Sequence, residues 1–304
     1  MEKELQLCFD IYAERVYQNG YYFHGDLQVI SREFKAHLRA IIEKCLGENA
    51  TDNNVIRVIN SLHGDDLYLA FACAKHSPQA WERFSNSYRR YINDLAAFVS
   101  PVKSVASELA ESIFADLFLP DRSGRSRIAS YDGRSSLATW LRTIICHRAI
   151  NERARKFNNM TQLDELCEKV DGEAVRSIEM ALRTSRYQSL IRDSLEHACG
   201  ELTHRERLLL LLRYENGLQL GQIGGLFGLH QANITRQLGR VQAKIRQSFE
   251  STLIHKYKLG QAAIDECLSE IAENPAYSIL DLIKNYQRGN DCIDRILRYR
   301  RSRK

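Results

Sequence analysis

The chain has 304 residues, with 43 Lys and Arg against 38 Asp and Glu, a formal net charge of +5. That length holds two or three modest domains with separate cores, and with both signs abundant the placement of charge matters more than its total. No stretch approaches the roughly 20 apolar residues of a membrane helix, and the acidic start MEKELQLCFD is unlike a secretory signal, so the expectation is a cytoplasmic protein with no membrane insertion.

Only 4 Pro and 16 Gly interrupt a chain rich in Leu, Ile, Ala, Arg and Glu, and that balance predicts an all-α fold. The 8 cysteines (Cys8, Cys45, Cys73, Cys146, Cys167, Cys199, Cys267 and Cys292) are scattered and form no CxxC pair. Buried, reduced thiols are expected, with no disulfide framework, no metal site and no cofactor. His197 and Cys199 lie close together, but a zinc site needs two more ligands at a recognisable spacing.

Residues 1–78 read as helical, with Asn19-Gly20 and His24-Gly25 breaking the first helical stretch. Phe34, Leu38, Ile41, Ile42 and Leu46 have the spacing of a buried stripe, with Gly47 as its stop. The run DLYLAFACA at 66–74 is apolar on most faces and reads as core. Ser77-Pro78 starts a new helix, Pro being tolerated in a first turn, and Trp81, Phe84, Tyr88, Tyr91, Ile92, Leu95 and Val99 continue its periodicity. A further helix covers 105–119. The polar run DRSGRSR is a flexible loop, and the next helix starts near Ser135. Residues 157–173 carry five acids and one Lys, a net of −4, and read as a linker. A helix is expected from about 173 to 199, ending at Gly200. Thr203 with Glu206 forms a capping box. Past Phe249, helices are expected at 261–272 and 279–299, separated by Asn274-Pro275, before the strongly basic end RILRYRRSRK.

The segment 201–246 is the most informative. A short helix at 220–227, a turn at Gly228 and a basic second helix read as a helix-turn-helix, whose second helix fits the DNA major groove. Ile234, Leu238, Val241 and Ile245 fall on one stripe, and Arg236, Arg240 and Lys244 on another. Gln231, Ala232, Asn233, Thr235 and Arg236 occupy the first turns, where base edges are met. Asn and Gln pair bidentately with adenine and Arg with guanine, whereas Arg240 and Lys244 lie where phosphates are held. Gly221, Gly224, Gly225 and Gly228 have the wrong spacing for GxGxxG, and no strand precedes them. They read as close packing of two short helices, each interior Gly weakening the helix by roughly 1 kcal/mol.

A second basic amphipathic segment lies at 135–156. Leu137, Leu141, Ile144 and Ile145 form its buried stripe, and Arg142, His147, Arg148, Asn151, Arg153 and Arg155 fall mostly elsewhere. Trp140 reads as core. Tyr131, in the loop, stays open between core and a stacking face for an unpaired base. No Ser-His-Asp signature, HExxH, Walker loop or paired-carboxylate motif stands out, so no enzyme activity is expected.

These residues resemble an extracytoplasmic-function-type sigma factor, the promoter-recognition subunit of bacterial RNA polymerase. GRSSLATWLRTI at 133–144, followed by a basic helix, is similar to the family's second conserved region; LTHRERLLLLLRY at 202–214, followed by the helix-turn-helix, is similar to its fourth. The resemblance covers roughly 80–249. It implies two helical sigma domains joined by a linker: an N-terminal helical extension at 1–78, a region-two-like domain at 79–156, a linker at 157–187, a region-four-like domain at 188–250 and a C-terminal extension at 251–304. It implies core RNA polymerase and promoter DNA as partners, with an anti-sigma factor as a further partner class.

By the same resemblance, Glu108, Leu109, Glu111, Ser112 and Phe114 would face polymerase. Tyr131, Arg134, Ser135, Ser136, Thr139, Arg142, His147, Arg148 and Asn151 would meet the downstream promoter element. Gln231, Ala232, Asn233, Thr235, Arg236, Arg240 and Lys244 would meet the upstream one. His147 stands where members usually carry Asn, and His230 where they carry a Ser or Thr cap. A stand-alone helix-turn-helix regulator without polymerase binding is the alternative.

Overall fold

The computed structural model describes residues 2–47, 51–121, 124–157 and 173–287. Their architecture is all-α. In chain order the helices are α1 (Glu2–His24), α2 (Ser31–Leu46), α3 (Asp52–Ser61), α4 (Gly64–Ala74), α5 (Pro78–Val99), α6 (Lys103–Phe118), α7 (Leu137–Phe157), α8 (Glu173–Gly200), α9 (His204–Leu210), α10 (Leu220–Phe227), α11 (Gln231–His255), α12 (Gln261–Glu273) and α13 (Ile279–Gln287). A 3-10 turn (Arg127–Ser130) precedes α7, and a π-helical turn (Leu211–Glu215) follows α9. Among the described residues there is no strand, only one bridge between Pro120 and Ser126, and no helix is long and apolar enough to cross a membrane.

Two compact units separate, one within Met1–Tyr187 and Tyr257–Glu270, the other within Gln188–Lys256 and Ile271–Lys304. The boundary expected at residue 78 therefore falls inside the first unit. Helix α4 explains why: Leu67, Tyr68, Leu69, Ala70, Ala72 and Cys73 are buried all round, so it packs against α1 on one side and α5 and the 3-10 turn on another. A helix apolar on every face needs cover on every face.

Asn19-Gly20 does not break α1, which runs unbroken to His24. A β-carbon at Gly20 would stand 2.4 Å from the Tyr68 Cβ, so glycine is what lets α1 and α4 touch. That close packing offsets the roughly 1 kcal/mol by which an interior glycine weakens a helix. The helix ends where expected next: Gly25 adopts φ 80°, and its N–H donates to the Tyr21 carbonyl. The Ser77 cap with Pro78 in the first turn and the Gly47 stop also form as the sequence predicts.

Two carboxylates at the start of α4 organise the first unit. Asp66 is 1% exposed. It accepts from the Tyr88 hydroxyl at 2.9 Å and from the Leu137 N–H at 2.8 Å, and it pairs with the Arg186 guanidinium at 2.7 Å. Arg186 also bridges to Asp65 and donates to the Tyr88 hydroxyl. Buried charges persist only when paired and hydrogen-bonded, and here both conditions hold across α4, α5, α7 and α8. The first turns of α8, assigned to the linker by sequence, thus belong to this core, with Val175 and Tyr187 buried and Ile178 and Leu182 packed against it. Tyr187 also donates to Glu266 of α12 at 2.9 Å, which brings part of the C-terminal segment into the same unit.

Candidate nucleic-acid interface

In the second unit, α10 and α11 are joined by a three-residue turn, 228–230. Gly228 sits in the left-handed region at φ 65°, ψ 32°, and its N–H closes on the Gly224 carbonyl, a common way to end a helix. His230 caps α11: its Nδ1 accepts from the Ala232 N–H at 3.3 Å, doing the work that a Ser or Thr hydroxyl does elsewhere. An accepting Nδ1 requires the tautomer that carries hydrogen on Nε2.

The predicted stripe of α11 is buried at Ile234, Leu238, Val241 and Ile245, and it continues through Phe249 and Leu253. Spacing by three and four residues therefore turns the opposite face outward, and Gln231, Ala232, Asn233, Thr235, Arg236 and Arg240 are all exposed there. Among the described residues, neither Arg236 nor Arg240 has an ion-pair or hydrogen-bonding side-chain partner. No acid occurs between 231 and 248. The first three turns of α11 thus present amides, a hydroxyl and two unneutralised guanidinium groups.

Lys244 does not belong to that face. Its ammonium is half-buried and donates to the Glu201 carbonyl at 2.9 Å and to Glu206 at 3.1 Å. Glu206 is the acid of the predicted capping box at Thr203, which forms in full. Partial burial pushes the Glu206 carboxyl up, but bonds from the Thr203 backbone, Lys244 and the Thr203 hydroxyl outweigh it and hold the group below its usual value. Lys244 is therefore a staple between α11 and the start of α9. The C-terminal α13 joins this unit too: Lys284 reaches Glu215 in the π-helical turn at 2.8 Å, Arg207 lies over the Tyr286 ring, and the Tyr286 hydroxyl donates to the Glu196 carbonyl.

In the first unit the basic helix α7 is arranged differently. Its start is fixed from two sides, with Ser136 Oγ accepting the Thr139 N–H and Asp66 taking the Leu137 N–H. Of the predicted downstream residues, Arg134, His147 and Asn151 are exposed, while Ser135, Ser136, Thr139, Arg142 and Arg148 are half-buried. Arg142 pairs with Glu179 of α8 at 3.4 Å; Arg148 pairs with Asp116 and with Glu152.

Tyr131 is core rather than a stacking face. It is 2% exposed, its hydroxyl donates to the Ser135 carbonyl at 2.6 Å, and Trp140 packs edge-on against it with ring centroids 5.5 Å apart. Both flat faces are taken up by protein, so no base stacks there in this conformation.

On α6, Glu108 and Glu111 are exposed as expected, but Leu109 is buried against the core. Ser112 is half-buried and bonds back to the Leu109 carbonyl; Phe114 is half-covered, with the Arg89 guanidinium 4.7 Å above its ring.

The loop between α6 and α7 contains a feature that the sequence pattern does not reveal. The Pro120–Ser126 bridge and the bond from Asp121 N–H to the Arg125 carbonyl fold it back on itself. Beside it opens a cleft of about 610 Å³ whose walls include Asp116, Leu119, Arg125, Ser126, Arg127 and Ser130. Ser126 is 5% exposed, and its hydroxyl is buried with no hydrogen-bonding partner. A buried hydroxyl without a partner is uncommon. The signal is present in DRSGR, a turn sequence with Gly at the position that adopts φ 76°, but its polarity reads as looseness.

Among the described residues no cluster of three His, Cys, Asp or Glu side chains could hold a metal ion. No family model, curated protein or solved structure matches the chain.

Proposed function

We propose that the chain is a promoter-recognition subunit of the extracytoplasmic-function sigma type, binding core RNA polymerase and directing initiation. The observation that carries this reading is the outer face of α11, where Gln231, Asn233, Thr235, Arg236 and Arg240 stand exposed on a helix set by a three-residue turn. Such a face supplies base-edge readers at its start and phosphate contacts further along. The second support is the order of parts, with a separate unit bearing α7 upstream in the chain. There the loop cleft beside Ser126, with Arg125 and Arg127 on its wall, adds three residues to the set proposed for the downstream element. The exposed carboxylates Glu108 and Glu111 on α6 suit a basic partner, and polymerase is the partner proposed for them.

Purified core polymerase mixed with the protein on promoter DNA tests the proposal. Formation of a holoenzyme and protein-dependent initiation are expected; failure to bind core rejects it. One observation favours a second reading, a stand-alone duplex-binding regulator. Arg236 and Arg240 of α11 are unneutralised, whereas Arg142 and Arg148 on α7 are paired within the protein. Specific duplex binding at full strength without polymerase selects that alternative. In either case Arg236→Ala is expected to lose about 1–3 kcal/mol at one position of the duplex site. A uniform loss over all sequences makes Arg236 a phosphate contact.

A further inference from the structure

Helix α8 begins beside Arg142, one of the residues proposed for the downstream element. Val175 is fully buried, and Ile178 and Leu182 pack against the core of the first unit. Between them, Glu179 accepts from the Tyr91 hydroxyl at 3.4 Å and takes the Arg142 guanidinium at 3.4 Å. The Ala138 carbonyl in the first turn of α7 lies closer to the same hydroxyl, at 3.0 Å, and shares its single proton. The covering segment is thus fastened to the proposed strand-binding helix itself, and the charge it neutralises is one that a nucleic-acid backbone would otherwise meet.

The segment is anchored more firmly at one end. Arg186 is held by the buried Asp65 and Asp66 carboxylates. Earlier in the helix Val175 is buried and Ile178 and Leu182 are half-buried against the core, and the link to α7 is one ion pair with side chains 24% and 21% exposed. Partly exposed pairs of this kind contribute little, so this end is the weaker attachment.

From this geometry we propose that residues 174–182 of α8 are an intramolecular mask over Arg142 of α7, occupying with Glu179 the place that a phosphate of single-stranded DNA takes when the mask lifts. The proposal rests on the sigma-type reading of α7 and adds to it a closed state of the free protein. Lifting exchanges the Glu179 carboxylate at Arg142 for a nucleic-acid phosphate, one anion for another.

The test uses the full chain and a fluorescein-labelled single-stranded 20-mer of mixed sequence. Two loosened variants, Glu179→Gln alone and Glu179→Gln with Ile178→Ala, are compared with the parent by amide hydrogen exchange and by fluorescence anisotropy. The expected result is faster exchange within 174–182, unchanged protection in α5, and binding three- to tenfold tighter. Adding Arg142→Ala to either variant should abolish the gain. Faster exchange with unchanged or weaker binding overturns the mask while leaving DNA binding by the protein intact. Binding that tightens equally with and without Arg142 also overturns it. A chain whose variants bind duplex DNA through α11 but never the single strand defeats the downstream reading of α7 and the mask with it, and that result is distinct from a protein that binds no core polymerase.

Discussion

Gly224 and Gly225 are neighbours in α10 and should respond differently to alanine. Nothing lies within 4 Å of where a β-carbon would stand at Gly225. Alanine there gains helix propensity and narrows the unfolded chain, a stabilisation of about 1 kcal/mol. At Gly224 the same carbon would sit 2.4 Å from the Leu229 carbonyl oxygen. That oxygen is backbone in the turn, and the Leu229 N–H is itself bonded to the Gly224 carbonyl at 2.8 Å, so the obstacle cannot swing aside as a side chain would. Overpacking of this kind costs about 1–3 kcal/mol. Because both alanines share the propensity gain, that range is the expected gap between the variants. Urea unfolding followed by circular dichroism measures the gap, and amide exchange in α10 and α11 assigns it to this unit. Since the turn aims α11, Gly224→Ala should also weaken duplex binding while Gly225→Ala leaves it unchanged. If Gly224→Ala stabilises as much as Gly225→Ala, the close approach is not what requires glycine, and the reasoning fails.

Three further outcomes are expected. Burial, reinforced by the nearby Arg186 charge, pushes the His24 imidazole down to about 3; the unfolded chain then binds a proton near the ordinary value of 6.5 that the folded one refuses. Stability contributed by His24 is therefore complete above that value and falls with pH between about 6.5 and 3, by at most about 1.4 kcal/mol per unit. The difference between the parent and His24→Gln in urea unfolding at pH 7 and pH 5 reads this out; an equal loss in both refutes it. Arg186→Met strands Asp65 and Asp66 in the core and should destabilise the first unit by about 3–5 kcal/mol. Adding Asp65→Asn and Asp66→Asn should recover part of that loss, and a single-variant loss under about 1 kcal/mol would count against the network. Residues 288–304 carry seven basic and two acidic side chains, a net of +5 that equals the charge of the whole chain. Truncation before Arg295 should flatten the salt dependence of DNA binding by about 0.9 for each phosphate the tail had neutralised, and an unchanged slope rules out a contribution from the tail.

Much of the helical layout is legible because buried stripes and caps are local. Phe34, Leu38, Ile41 and Ile42 on α2 and Ile234, Leu238, Val241 and Ile245 on α11 are buried at the spacing the sequence shows. The caps at Thr203 and Ser77 are equally local. What escapes a local reading is set by partners far away in sequence. Asp65 and Asp66 precede an apolar run and look like ordinary acids of a first turn; only Arg186, 121 residues from Asp65 in the chain, makes them core. The linker assignment fails for α8 in the same way, since Val175, Ile178 and Leu182 find their cover on helices whose positions no local pattern gives. The expected helix beyond Gln287 and the acidic stretch at 158–172 lie outside the described residues.

The candidate site shows why counting basic residues is a blunt instrument. Both α7 and α11 carry arginines on amphipathic helices, and sequence weighs them alike. Structure separates them by what each guanidinium meets: Arg142 and Arg148 end on carboxylates of α8, α6 and α7, whereas Arg236 and Arg240 end in open space. An unneutralised arginine on a helix start is free to meet phosphate or guanine without breaking an existing pair. A paired one must first exchange its partner. On the proposed reading, α11 is ready for a duplex as it stands, whereas α7 needs a rearrangement before it can take a strand.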